Sequence, residues 1–274
     1  VSLLSSNQLN IVLCPEQVFL QSVAQRMTLR GFDNSILGSE TLAVKTSGEH
    51  FWSGALDALG SALPHVSAQG ATACVVLSNH FVNYTLVPWC DGISDQDELA
   101  YAAHCFKEEF GNAAESWEVR VSPSRAPLAA LASAVDTGLL GQLRELLGGA
   151  GIAIRSVQPH LMLAFNCNRN VLRRRNAWLA LTEPGRLCLA MLHDGDICWV
   201  RTLRVGAAWH EELPGLLERE SYLADSATDA SEALLWAPLL EEAETVEEIS
   251  PVLAHWNVRR LRSAGRFGSK RCAK

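Results

Sequence analysis

Apolar residues recur along this chain at two spacings, and the switch between them marks out its elements. Leu9 to Cys14 (Leu-Asn-Ile-Val-Leu-Cys) reads as a strand, Pro15-Glu16 as a turn and Val18 to Val23 as the returning strand of a hairpin. Residues 24–48 are polar and Gly-bearing and show no period. From Phe51 to Leu63 the apolar positions 51, 52, 55, 56, 59 and 63 give a helical spacing that stops before Pro64. Ala73 to Ser78 and Phe81 to Val87 predict two strands joined by Asn79-His80, a turn without the usual glycine.

Asp95 and Glu98 have the spacing of a capping pair. They open a predicted helix with an apolar face of Leu99, Ala103, Phe106 and Phe110, and Gly111 suits its C-terminal stop. Trp117-Glu-Val-Arg-Val121 alternates as a half-buried strand does. Ala126 to Ala134 predicts another strand. Asp136 or Thr137 then caps a helix with Leu139, Leu140, Leu143, Leu146 and Leu147 on one face, ended by Gly148-Gly149. Ile152 to Val157 predicts a strand and Pro159 to Leu172 a helix crossing between two halves. The charge break at Arg173 to Arg175 sets the boundary.

The second half begins with three strands: Ala177 to Leu181, Leu187 to His193 and Asp196 to Val205. Glu183-Pro184-Gly185 and Asp194-Gly195 are the turns between them. A helix follows around Leu213, Leu216 and Leu217, with Glu211 and Glu212 at its positive N-terminal end. Ala233 to Trp236 predicts a strand, Glu241 to Ile249 a helix, and Pro251 to Trp256 a last strand. Three antiparallel strands, then helix, strand, helix, strand, is the order of a ribonuclease-H-like lobe. The fold class is therefore α/β (α+β layers), with two such lobes. The first, 1–173, holds an inserted β-β-α-β subdomain at about 71–121; the second is 174–258; 259–274 is a basic, disordered tail.

Composition narrows the function classes. Of 274 residues, 48% are apolar and 19% charged, enough apolar surface to order most of the chain. The apolar runs fall short of the ~20 residues of a membrane-spanning helix. No basic n-region followed by an apolar h-region opens the sequence, so no export signal is expected. The eight cysteines are scattered without C-x-x-C pairs, as small buried hydrophobes of a reducing compartment are, and no metal site is expected. Net charge is -7, but the last 16 residues carry +7, leaving -14 on 1–258. The acidic body is unsuited to nucleic acid, while the tail suits anionic lipid or an acidic partner.

Catalytic constellations are weak. His104 and Cys105 are neighbours on a helix and diverge by about 100°. Asn166-Cys167-Asn168 has no histidine beside it. His160, His193, His210 and His255 are far apart and read as surface or capping residues. The acidic run Glu241, Glu242, Glu244, Glu247 and Glu248 reads as a solvated helix face. Trp117, Trp178 and Trp199 read as core. Trp89, in a loop between Pro88 and Cys90, is a candidate anchor for a partner groove, with the core as its alternative.

The stretch Ala73-Cys-Val-Val-Leu-Ser-Asn-His-Phe-Val-Asn-Tyr-Thr-Leu-Val-Pro-Trp89, then Glu98-Leu-Ala-Tyr-Ala-Ala-His-Cys-Phe106 and Trp117 to Val121, carries a resemblance. With the Asp194-Gly195 hairpin and Val200-Arg-Thr-Leu203, it resembles the actin-like family of the type IV pilus assembly protein PilM and the cytoplasmic region of the type II secretion protein GspL. The resemblance covers residues 8–256. It implies a cytoplasmic scaffold or adaptor at the inner face of the inner membrane, docking the cytoplasmic tail of an inner-membrane assembly subunit. Pilus and secretion machinery remain equal alternatives.

Actin-like ATPases carry an Asp-x-Gly turn after the first strand of each lobe, where the aspartates organise Mg²⁺ and the backbone N–H groups approach phosphate. Here the first such turn is Leu13-Cys14-Pro15, with no carboxylate and no proline N–H. The second, Glu183-Pro184-Gly185, keeps a carboxylate and the glycine, but proline again removes a donor and a plain turn is the favoured reading. Glu183 and Gly185 are thus the candidate cofactor-binding residues, for ATP with Mg²⁺ if the cleft survives. Gly148-Gly149-Ala150-Gly151 follows a helix and precedes a strand, the wrong order for a phosphate cradle. ATP hydrolysis is expected to be lost, with no catalytic residue, no metal and no cofactor. The enzyme alternative is an actin-like ATPase or a sugar-kinase-like phosphotransferase.

Overall fold

A computed structural model of the chain describes residues 5–28, 31–45, 48–66, 70–224, 232–237 and 256–261. In chain order the first half runs β1 (Ser5–Leu13), β2 (Gln17–Thr28), β3 (Gly31–Ala43), α1 (Ser53–Ala62), β4 (Thr72–Leu77), β5 (Val82–Val87) and α2 (Asp95–Phe110). It continues with β6 (Trp117–Val121), β7 (Ala130–Asp136), α3 (Thr137–Gly149), β8 (Ala153–Pro159), α4 (His160–Cys167) and α5 (Arg169–Leu172). The second half is β9 (Ala177–Glu183), β10 (Arg186–His193), β11 (Asp196–Arg204), α6 (Trp209–Leu223), β12 (Glu232–Trp236) and β13 (Asn257–Arg260).

Two five-stranded sheets repeat one pairing pattern. Their orders are β3-β2-β1-β4-β8 and β11-β10-β9-β12-β13. In each, the first three strands are antiparallel and the last two run parallel to the first. This is the ribonuclease-H-like order, present twice. Central strands explain the continuous apolar runs, because a strand covered on both faces has no polar side to show. β9 is buried at every position, Thr182 and Glu183 included.

The strand at 73–78 does not form a hairpin with 81–87. β4 pairs with β1 and β8 in the main sheet, while β5 joins a separate sheet of order β5-β7-β6. An insert beginning at 71 therefore takes in a strand of the main sheet; the separate sheet starts at Val82 and extends to Asp136, past the expected end at 121. The segment expected as a strand over 126–134 is β7, the middle strand of that sheet. α2 packs on it through Ala102 and Phe106, whereas Leu99 and Ala103 face outward. Ser94, not Asp95, caps α2, its hydroxyl accepting from Asp97 N at 3.2 Å. Asp136 caps α3, accepting from Gly138 N and Leu139 N at 2.7 and 3.2 Å.

β3 occupies a stretch with no apolar period. It is an edge strand whose residues 35–40 are all exposed, so burial imposed no alternation there. β13 runs through Arg259 and Arg260, so the first residues of the expected tail pair with β12. The helix expected at 241–249, most of the strand expected at 251–256 and residues 262–274 lie outside the described residues. Trp178 is fully buried, and Trp117 and Trp199 are half-buried. Cys14, Cys74, Cys90, Cys105, Cys188 and Cys198 are free thiols, and Cys167 is disulfide-bonded.

One apolar cluster runs through both lobes. It joins Ile11, Val75, Leu59 and Leu143 of the first to Leu179, Leu181, Ala190 and Trp236 of the second, with Leu161 of α4 among them. The β10–β11 turn docks tightly on the segment before β9. Asp194 and Gly195 have positive φ (50° and 86°), and a Cβ on Gly195 would lie 2.7 Å from Arg174 N. Gly195 N donates to Arg175 O at 2.9 Å. Arg125, between β6 and β7, reaches the same turn, 3.3 Å from Asp194 and 3.1 Å from Asp196.

Candidate functional site: a closed cleft between the lobes

The C-terminal ends of the parallel strands of both sheets meet between the lobes, where open α/β sheets place their ligands. β1 delivers Cys14, β4 delivers Ser78 and Asn79, β8 delivers His160, β9 ends on Glu183 and β12 ends on Trp236. The two expected phosphate turns face each other here. Cys14, Pro15, Glu16 and Gln17 stand on one side, Glu183 and Pro184 on the other, with Ser78 and His80 between them.

The space they enclose is about 10 Å³, on the order of one water molecule. Small-molecule and cofactor sites typically measure ~300–1,000 Å³. Polar groups tie the lobes together beside it. Glu183, 2% exposed, accepts from Asn79 N at 2.9 Å through one oxygen and lies 2.8 Å from His160 Nδ1 through the other. Trp236 Nε1–H, which can only donate, points to His160 Nε2 at 3.1 Å. His160 thus bridges Glu183 through Nδ1 and Trp236 through Nε2. Asn79 Oδ1 accepts from Tyr84 OH at 2.7 Å, and His80 Nε2 donates to Pro184 O at 2.9 Å.

The electrostatics follow from these partners. Burial alone would raise the Glu183 carboxyl, but the His160 ring and the Asn79 N–H outweigh it and hold it below its ordinary value. Burial lowers His80, against the opposing pull of Pro184 O. Burial and, after it, the Glu183 charge push the Cys14 thiol far up, so the thiolate needed for nucleophilic chemistry is suppressed. Burial raises Tyr84 as well.

A carboxylate holding a histidine resembles half of a catalytic triad, but the outcome differs. A general base needs a free Nε2 beside a nucleophile. Here Trp236 occupies that nitrogen. In the two turns Cys14 N donates to Gln17 O at 3.0 Å, and Pro15 and Pro184 have no N–H to donate. Gly185 keeps its turn conformation, with φ +70°. Of the candidate residues, Glu183 lines the cleft, and Gly185 is exposed at the far end of the same turn. Trp89 is not at the cleft; it sits past the end of β5, 41% exposed. Among the described residues no group of three or more His, Cys, Asp or Glu is placed to hold a metal, and no helix is long and apolar enough to cross a membrane.

His160 was expected at the surface or at a cap and is instead buried, the centre of the interlobe chain. Its sequence signal was position: Pro159 ends a parallel strand and His160 begins the next helix. Asn79 had the same signal, two residues past an apolar run.

No protein-family model and no curated protein matches the chain. Solved structures do. The cytoplasmic domain of EpsL, described as an inner membrane component of the type II secretion system of Vibrio cholerae, aligns with TM-score 0.58 and 16% identity over 94% of this chain and 90% of that one. The PilM–PilN type IV pilus biogenesis complex aligns with TM-score 0.66 and 11% identity, over 95% and 90%. A Bacteroides thetaiotaomicron protein described as having an actin-like ATPase fold and unknown function gives 0.63 and 10%, over 95% and 92%. At these identities the likeness is one of fold: two ribonuclease-H-like lobes in the actin-like arrangement.

Proposed function

We propose that this chain is a non-catalytic cytoplasmic scaffold or adaptor. It docks the cytoplasmic tail of an inner-membrane subunit in a machine of the type IV pilus or type II secretion type. One observation carries the loss of catalysis: both oxygens of Glu183, the last carboxylate in either phosphate turn, are engaged inside the protein, in a cleft with room for about one water. The likeness in fold to the EpsL domain and to the PilM–PilN complex supports the choice of machine.

Docking belongs to the three-stranded unit and its α2 helix. Trp89, Ile93, Leu99 and Tyr101 are all exposed there, beside the acids Asp95, Asp97 and Glu98. Trp89 is the anchor, since an exposed indole in a loop supplies large contact area at low entropy cost. The basic residues after 261 are suited to holding the protein at an anionic membrane face. The test is retention of the chain on an immobilised N-terminal peptide of the neighbouring membrane subunit. Retention that Trp89→Ala abolishes is expected; no retention at high micromolar peptide overturns the reading. The ATPase and phosphotransferase alternative requires the cleft to open and Glu183 to leave His160, and Mg-ATP turnover would establish it.

A further inference from the structure

A second feature of the cleft lies outside the closed space. Arg186 is the cross-strand partner of Glu183 on β9 and of Arg204 on β11. Direct cross-strand partners project from the same face of a sheet. Glu183 identifies that face as the one turned toward the first lobe. Two cations therefore stand directly opposite each other at the rim, an arrangement that destabilises a hairpin unless an anion screens it. Glu183 does so only in part, because its charge reaches Arg186 while its oxygens are committed to His160 and Asn79.

Arg186 is half-buried, and its Nε–H is buried with no hydrogen-bond partner. Neither guanidinium makes an ion pair or a hydrogen bond among the described residues. Burial and then the Arg204 charge disfavour the cation of Arg186, with Glu183 pulling the other way. On the facing lobe the Arg186 charge reaches His80, as does that of the exposed Glu16.

We propose that Arg186 and Arg204 form a binding site for a phosphate-class oxyanion at the rim of the interlobe cleft. Two planar guanidinium forks on adjacent strands match the oxygens of one tetrahedral anion. The ligand relieves the opposed charges and satisfies the buried Nε–H. Glu16 weakens the site, so half-saturation on the order of millimolar is expected. The inference is independent of the scaffold reading, which fails on ATP turnover or on absent peptide retention.

The experiment is an amide NMR titration of the intact chain with inorganic phosphate at fixed ionic strength. Saturable shifts at Gly185 and Val205, which bracket the two arginines, are expected. Arg204→Gln should weaken binding about tenfold or more. Arg204 is exposed, so an unchanged Tm will show that the variant is folded. Glu16→Gln should strengthen binding a few-fold, and saturation should raise the titration midpoint of His80. An arm with ADP separates the sources: equal half-saturation assigns the free oxyanion, and much tighter binding assigns the phosphate of a nucleotide. Shifts that fail to saturate by about 50 mM phosphate, or that Arg204→Gln leaves unchanged, overturn the proposal.

Discussion

The first strand of each lobe ends in a turn that contains proline: Leu13-Cys14-Pro15 in one, Glu183-Pro184-Gly185 in the other. The sheets behind them are paired alike, so the turns differ by sequence and not by architecture. In the first, the carboxylate is missing and a thiol takes its place, buried and held protonated. In the second, the carboxylate is present but turned inward onto His160 and Asn79. Proline in each removes an N–H that phosphate would need. Equivalent positions thus depart from an Asp-x-Gly turn by two routes, deletion of the carboxylate in one lobe and its internal capture in the other. Capture adds something deletion does not: the Glu183 carboxylate joins the lobes.

Substitutions sharpen the contrast, because the captured side should be far more sensitive than the deleted one. Trp236→Ala removes a large buried side chain and the donor to His160. It should cost about 3–5 kcal/mol, read as a Tm lower by about 2–4 °C per kcal/mol. His160→Ala leaves the Glu183 charge buried beside one remaining donor and should cost about 3–5 kcal/mol. Glu183→Gln keeps shape and should cost less, about 1.5–3 kcal/mol. In a double-mutant cycle the His160 and Glu183 effects should fall short of additivity; strict additivity would mean the pair is not coupled. Cys14→Ser, on the deleted side, should leave the lobes joined.

Acid should act on the same two sides through different groups. Glu183 is below its ordinary value when folded, so its contribution is complete above an unfolded pKa of about 4.5 and is lost as pH falls through the folded value. His80 is also lowered, and for a base the loss starts earlier. Its contribution is complete above about 6.5 and declines as pH falls from there toward the folded value. Urea midpoints between neutral pH and pH 3 should therefore show one decline that begins near 6.5 and a second that begins near 4.5. His80→Gln should remove only the first.

The smallest expected effect is the response to Mg-ATP. A ligand at 100 times its Kd adds about 2.7 kcal/mol, several degrees of Tm at this size. With the turns as they stand, millimolar Mg-ATP should move Tm by less than a degree. A shift of several degrees that persists in Arg204→Gln would mean that the captured carboxylate can be released.

The sequence carried the repeated strand order well where local chemistry decides it. Asp194-Gly195 demanded a tight turn, and Asp136 before a leucine face demanded a capped helix; both formed. It failed where a tertiary partner decides. β4 read as half of a hairpin because nothing local says that its neighbours are β1 and β8. Leu99 read as core because the helical spacing does not say which of two overlapping stripes meets the sheet. β3, an exposed edge, left no apolar signature at all. At the site, Glu183 and Gly185 were visible as a turn. The partners that hold Glu183, Asn79 and His160, come from 104 and 23 residues away in the chain. Sequence spacing does not report such meetings.

The buried thiols also give the molecule a clock. Cys188 lies on the face of the second sheet that meets the first lobe, its pKa pushed to about 12 by burial, and Cys14 lies in the opposing turn. Neither can react with an alkylating reagent while the lobes stay together, whereas Cys90 is exposed and reacts at once. The labelling rate of Cys188 relative to Cys90 therefore reports the opening that uncovers this face, and where closing outpaces labelling RT times the logarithm of that ratio is the free energy of the opening.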